Sequence, residues 1–318
     1  MPEYRCWDLP PALSARRPEA CRLLERVNDR AWRTFDPALL DAVRLRVAWL
    51  IGGDAGRRPT VLAAAKVAAL RSYPTSPLYT PLERECLTFA EQFVIDVGGT
   101  TAESRDGLAA HLGDRVPDFV AALYVVEFTQ RLELIAGALL EPVHVPTPHP
   151  ADAGPLAGEA PLRELLREYQ KAVVRGDALD PVTTELVRLR CARTHRCRIC
   201  QTLRLADARA AGVDETVTAK VDFYERSDLP ERHKSALRVT DAFVTRCDML
   251  TDAVVREARS WFGQDELAEL CLDITKWSTQ KIHVALGTDG ADALPTNDAG
   301  VAFFDFDSSG AVAGFRAG

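Results

Sequence analysis

Residues 191–201, CARTHRCRICQ, hold three cysteines and a histidine in eleven positions. That density of thiol and imidazole suits more than one chemistry. Cys191, His195, Cys197 and Cys200 are the ligand types that bind zinc. Cys197 and Cys200 alone, spaced C-x-x-C, suit a redox dithiol. A packed, sulfur-rich helix face without chemistry is the third reading. Zinc is disfavoured, because Cys191 falls on the preceding helix and structural zinc sites join two knuckles across a longer loop. We expect no metal and no cofactor.

Two helices must position the pair. Asp180-Pro181 reads as an N-cap followed by proline at the first helical position, opening a helix to about Arg190. Thr194-His195-Arg196 breaks the pattern. A second helix is predicted to start near Cys197 and to run through ADARAAG to Gly212. Cys197 and Cys200 then lie one turn apart, in a first turn whose free N–H groups favour a thiolate. Arg196, Arg198 and Arg204 add positive charge. On this argument alone Cys197 is the more acidic thiol. Glu185, twelve residues ahead of Cys197, is either a general base for a thiol or a solvated carboxylate facing the helix dipole. His195 is either the local acid–base group or a surface turn histidine.

The surrounding texture is helical, as in AALYVVEFTQRLELIAGALL at 121–140. Two stretches match at an offset of 144: DPALLDAVRLRVA (36–48) and DPVTTELVRLRCA (180–192). Further on the offset is 150, as for Gly113 with Gly263 and Thr129-Gln130 with Thr279-Gln280. We expect an all-α protein of two tandem copies of one helical domain, packed as an internal pseudo-dimer. The boundaries read as an N-terminal extension at 1–30, a first copy at 31–142, a linker at 143–160, a second copy at 161–292 and a tail at 293–318. Asp41, Gly53, Gly56 and Thr60 stand opposite Glu185, Cys197, Cys200 and Arg204, so the first copy has no thiol and reads as scaffold and pocket wall. Cys191 stands opposite Val47 and reads as packing. The tail's VAFFDFD followed by Ser-Ser-Gly suggests a hairpin or docked arm.

With Glu185, Cys197 and Cys200 in place, the sequence resembles the alkyl hydroperoxidase D-like, or carboxymuconolactone decarboxylase-like, family. The thiol-peroxidase branch of that family carries a glutamate twelve residues ahead of a C-x-x-C pair. It also carries a histidine four residues after the second cysteine, where this chain has Arg204, and commonly one just before it, where this chain has Ile199. Arginine stabilises a thiolate by charge but does not shuttle protons near neutral pH, which leaves His195 as the local substitute. The resemblance implies a thiol-dependent peroxidase or disulfide oxidoreductase, with Cys200 attacking a hydroperoxide, Cys197 resolving and Glu185 as base. It implies a dithiol reductant, protein or small thiol, and a homo-oligomer, a trimer of pseudo-dimers. The alternatives are a carboxymuconolactone decarboxylase-like lyase and a non-enzymatic redox sensor or scaffold.

The net charge of −7 and pI of about 5.5 argue against nucleic-acid or anionic-membrane partners. The first twenty residues have no apolar core of signal-peptide length. No run of apolar residues approaches a membrane span. We expect a cytoplasmic location, in which the other cysteines act as small core hydrophobes.

Overall fold

The computed structural model describes residues 7–54, 56, 58–143 and 160–317. The expected linker falls outside the described residues except for its two ends. The chain is helical apart from one small sheet. Its first part contains α1 (Pro11–Arg16), α2 (Pro18–Trp32), α3 (Pro37–Leu50), α4 (Ala64–Ala68), α5 (Pro81–Asp96), α6 (Ala102–Leu112) and α7 (Val116–Leu139). Its second part contains α8 (Leu162–Val174), α9 (Pro181–Thr194), α10 (Arg198–Thr202), β1 (Leu203–Leu205), α11 (Ala206–Ala210) and α12 (Glu215–Ala219). It continues through α13 (Glu231–Val244), α14 (Asp252–Trp261), α15 (Gln264–Trp277) and α16 (Lys281–Leu286) to β2 (Ala302–Phe306) and β3 (Val312–Arg316). No helix among the described residues is long and apolar enough to cross a membrane.

Local chemistry sets the helix starts. Asp36 caps α3 by accepting from the N–H groups of Ala38 and Leu39, and Asp180 caps α9 by accepting from that of Thr183. Each cap is followed by proline, whose missing N–H costs nothing at that position. Thr80 and Glu83 form a capping box at α5. α7 is buried on nearly all sides and runs through the middle of the core, against α2, α3, α15 and α16. α2 lies along α8, burying Leu24, Val27, Leu165 and Tyr169. Each fully buried aliphatic side chain contributes roughly 1.5–3 kcal/mol of transfer free energy. α9 packs on α13 and α15 and so is held on two sides before it reaches the cysteines.

A buried ion triad ties these layers together. Glu127 of α7 accepts from Arg131 at 2.8 Å and from Lys281 of α16 at 2.8 and 2.9 Å. Arg131 also donates to the carbonyls of Phe243 and Thr245 at the end of α13. Burial pushes the Lys281 amine down to about 8 although Glu127 opposes the shift.

Two sequence expectations change here. The predicted helix from Cys197 to Gly212 is cut into α10 and α11 by β1. The cause is the tail: β2 pairs in parallel with β1, matching Leu203 to Ala302 and Leu205 to Phe304, and β3 pairs antiparallel with β2. The molecule is therefore mostly helical with one three-stranded sheet, β1-β2-β3, rather than purely α. The hairpin turn needs Gly310 twice over, for a left-handed φ of 81° and because a Cβ there would strike the main chain of Lys171 on α8.

Candidate active site

α9 ends where the cysteines begin. His195 closes the helix, and Arg196 adopts φ 53°, the one left-handed non-glycine among the described residues. That turn is held by the Cys197 N–H on the Ala192 carbonyl at 2.9 Å and by the ion pair of Arg196 with Asp96. The chain then enters α10. Cys197 is its N-cap, and its sulfur accepts from the Cys200 N–H at 3.3 Å. Asp289 takes the Arg198 N–H on its carboxylate and the Ile199 N–H on its carbonyl. The first turn of α10 is thus fully occupied.

Cys197 Sγ and Cys200 Sγ lie at disulfide-bonding distance, 1.95 Å, with Cα atoms 5.3 Å apart. Cys197 is completely buried, whereas Cys200 keeps 8% of its surface. That surface lines a cavity of about 370 Å³ whose walls include Arg188, Lys276, Trp277, Phe304 and Phe306. The two phenylalanines come from the tail hairpin. The expectation that the first half supplies a pocket wall is not met, since every lining residue lies between 167 and 315.

Glu185 is buried on α9, one turn before Arg188. The Arg188 guanidinium grips both of its carboxylate oxygens, at 2.6 and 2.8 Å. The same guanidinium donates to the carbonyls of Cys200, at 2.9 Å, and Leu203, at 2.5 Å. One arginine therefore joins the carboxylate to the backbone of the cavity-facing cysteine. Its planar fork makes this possible where lysine would not. The first half repeats the arrangement without sulfur: Arg44 grips Asp41 and donates to the Pro59 carbonyl, at positions 144 residues earlier (188 − 144 = 44, 203 − 144 = 59).

The structure brings Cys197 and Cys200 together, ties Glu185 to the Cys200 main chain through Arg188, and turns the other expected site residues elsewhere. Arg204 donates to Glu215 at 2.8 and 3.1 Å and to the carbonyls of Gln201 and Leu203. Arg196 and Arg198 likewise sit on Asp96 and Asp289. All three arginines that the sequence placed beside the thiols spend their charge on carboxylates. His195 is no surface residue: it is buried, bonded through Nε2 to Ser278 Oγ at 3.1 Å, and set edge-on against Phe128. The four zinc-type ligands do not converge, and no group of three or more His, Cys, Asp or Glu among the described residues is placed to hold a metal. Cys191 packs in the core, its thiol pushed up to about 12 by burial.

Sequence reasoning missed Arg188, Lys276 and Trp277. Arg188 was visible as the residue three after Glu185 in the repeated string Val-Arg-Leu-Arg, the spacing at which helix side chains pair. Lys276 is buried, with its amine over the Trp277 ring. Burial holds that amine well below the usual lysine range, Asp273 opposing the shift and Arg188 adding to it.

His195 carries a pH prediction. Burial, then the charges of Lys281 and Arg131, hold its imidazole well below the ordinary 6.5. Below about pH 6.5 the unfolded chain takes up a proton that the folded chain refuses, so stability is lost as pH falls. Asp273, whose carboxyl is pushed up to about 7 by burial, acts in the opposite sense, so the expected result is relative: from pH 7.5 to 5.5 the urea midpoint of His195→Asn should fall less, or rise more, than that of the native chain. An unchanged slope in the variant would assign the effect to His233 or His283, whose imidazoles are also held low by burial.

Residues 160–221, from α8 past the cysteines into the segment after α12, match the family model described as carboxymuconolactone decarboxylase family. An uncharacterized protein of Mycobacterium tuberculosis, present in strains CDC 1551 and H37Rv, is 37% identical over 215 residues, covering 66% of this chain and 74% of the relative. No solved structure matches. Residues 160–221, around Glu185 and the cysteine pair, are therefore a carboxymuconolactone decarboxylase family domain, of the superfamily that includes alkyl hydroperoxidase D-like proteins.

Proposed function

We propose that the protein is a thiol-dependent hydroperoxidase. The observation that carries this reading is the placement of Cys200 on the cavity wall, with a buried Cys197 at bonding distance behind it. In the proposed cycle the Cys200 thiolate attacks the distal oxygen of a hydroperoxide, ROOH. The O–O bond breaks, sulfur is oxidised to Cys200–SOH, and the alkoxide leaves, taking a proton to become ROH. The Cys197 thiol displaces hydroxide from that sulfenic acid, forming the disulfide and water. A dithiol reductant, protein or small thiol, restores both thiols by exchange and is itself oxidised to its disulfide. Glu185 takes the proton of the attacking thiol, held in place by Arg188, which also binds the Cys200 carbonyl. His195 acts at one remove, as a neutral, buried imidazole that fixes the turn before Cys197 through Ser278. A lyase acting on a carboxylated lactone has no use for this thiol pair.

The expected result is loss of an organic hydroperoxide that depends on enzyme and on dithiothreitol, with saturation in the hydroperoxide. A rate equal to that of dithiothreitol alone would leave the dithiol as a sensor or scaffold.

We also infer that the chain is a tandem duplication folded as a pseudo-dimer. Support comes from paired elements: α2 and α8 start 144 residues apart (18 + 144 = 162), as do α3 and α9 (37 + 144 = 181). α5, α6 and α13, α14 follow at 150 (81 + 150 = 231, 102 + 150 = 252). The packings α3 on α5 and α3 on α7 recur as α9 on α13 and α9 on α15. Arg46, paired with Glu91 and lying over Tyr73, recurs as Arg190 with Asp241 and Tyr224. The left-handed Gly52 stands where Arg196 does in the second half. In this reading the first half keeps the buried carboxylate–arginine pair and has lost the sulfur. The cytoplasmic location and an assembly of three pseudo-dimers belong to the same proposal.

A further inference from the structure

The cavity beside Cys200 has an unusual charge pattern. The chain carries a net charge of −7, yet the residues lining the cavity include Arg167, Lys171, Arg188 and Lys276 and not one carboxylate. The inner two are engaged: Arg188 is paired with Glu185, and Lys276 is buried with its amine over the Trp277 ring. The outer two are not equally bound. Lys171 reaches Glu168 in a solvent-exposed pair, which holds it weakly. Arg167, one helical turn earlier on the same face of α8, is exposed and has no ion-pair partner among the described residues. The lining also includes the aromatic side chains of Trp277, Phe304 and Phe306. The cavity thus combines solvent-reaching cations from α8, an aromatic lining and a buried thiol.

We propose that it selects an amphipathic anion: a medium-chain or aryl carboxylic acid bearing its hydroperoxide away from the carboxylate. The carboxylate sits at Arg167 and Lys171, the apolar body lies on the aromatic wall, and the hydroperoxide reaches Cys200. The volume of about 370 Å³ is at the small end of the ~300–1,000 Å³ usual for small-ligand sites, which excludes a bulky lipid held whole. Because the molecule as a whole repels anions, such selectivity is local and depends on Arg167 and Lys171. The inference about the hydroperoxide rests on the peroxidase reading; the anion preference does not.

Equilibrium binding to the Cys197–Cys200 disulfide form separates the two, since it needs no turnover. Isothermal titration calorimetry would compare decanoate, 1-decanol and decylamine at low salt. Decanoate is expected to bind about ten-fold more tightly than the alcohol, and the amine more weakly than either. In the double variant Arg167→Met/Lys171→Met that preference is expected to vanish while the affinity for 1-decanol stays. Both positions line the cavity and reach solvent, and an unchanged thermal midpoint would confirm that the variant is folded. Equal binding of decanoate and 1-decanol by the native chain, or a decanoate preference that survives in the double variant, would overturn the proposal. Absent peroxide turnover alongside an intact decanoate preference would instead remove only the peroxidase reading.

Discussion

Replacing Cys200 with serine is expected to lower hydroperoxide turnover on the order of 10³-fold or more. Cys200 is the cysteine that lines the cavity among the described residues, so it is the sulfur a bound hydroperoxide meets. Among the described residues no free cysteine can take its place. Cys21, Cys86, Cys191 and Cys271 are buried, with thiols pushed up to about 12 by desolvation, and Cys247 to about 11. Such thiols hold almost no thiolate near neutral pH. Cys197→Ser has a different signature. The first attack on hydroperoxide survives, but no disulfide forms, so one equivalent is consumed and the cycle then stalls. Stopped-flow consumption with limiting enzyme reads both. Sustained turnover in Cys200→Ser would refute the assignment of the attacking sulfur.

The second large effect belongs to Arg188. Arg188→Leu leaves the Glu185 carboxylate buried without its partner, a change that typically costs ~3–5 kcal/mol. Glu185 and Arg188 are both almost fully buried, at 1% and 3% exposure, so solvent screening does not soften this figure. The carbonyls of Cys200 and Leu203 also lose a donor. The double variant Glu185→Leu/Arg188→Leu removes the stranded charge and is expected to recover part of the stability, since apolar replacement of a buried pair is often neutral. Urea titrations with a constant m-value measure both. A control exists in the first half, where Arg44 pairs with Oδ1 of Asp41 while Thr60 and Val61 hold Oδ2. Arg44→Leu is expected to cost less stability, because Asp41 keeps the Thr60 and Val61 donors, while turnover per folded molecule is kept. Arg188→Leu is expected to lose both. If both variants keep full turnover per folded molecule, the pair beside the cysteines is structural only.

Much of the helical frame was legible because its signals are local. Asp-Pro at 36–37 and 180–181 fixed two helix starts to the residue, since cap and proline act within one turn. The pairing of Cys197 with Cys200 also followed from spacing, whereas Glu185 reaches the cysteine segment only by way of Arg188. What sequence spacing cannot carry is the direction of long side chains and the reach of distant segments. Arg204 was placed beside the thiols by proximity in the chain, yet Glu215 lay within reach and took it. The helix predicted through Leu203–Leu205 gave way because β2, about a hundred residues later, offered backbone partners that helix propensity does not anticipate. His195 looked exposed because it sits in a polar turn. The turn packs against the first half of the chain, and that burial is a tertiary fact. The cavity was illegible for the same reason, since its walls come from α8, α15 and the tail hairpin, which meet only in the fold.

The most direct test of Cys200 as the cavity-facing nucleophile is to trap its oxidised form. The Cys197→Ser variant, reduced and freed of thiol, would be given one equivalent of an organic hydroperoxide in the presence of dimedone, and the adduct located by peptide mass spectrometry. The account predicts a dimedone adduct on Cys200, formed in step with hydroperoxide loss, and no comparable labelling of Cys197 in the reciprocal Cys200→Ser variant. An unlabelled Cys200, or equal labelling of Cys197 in the reciprocal variant, would contradict it.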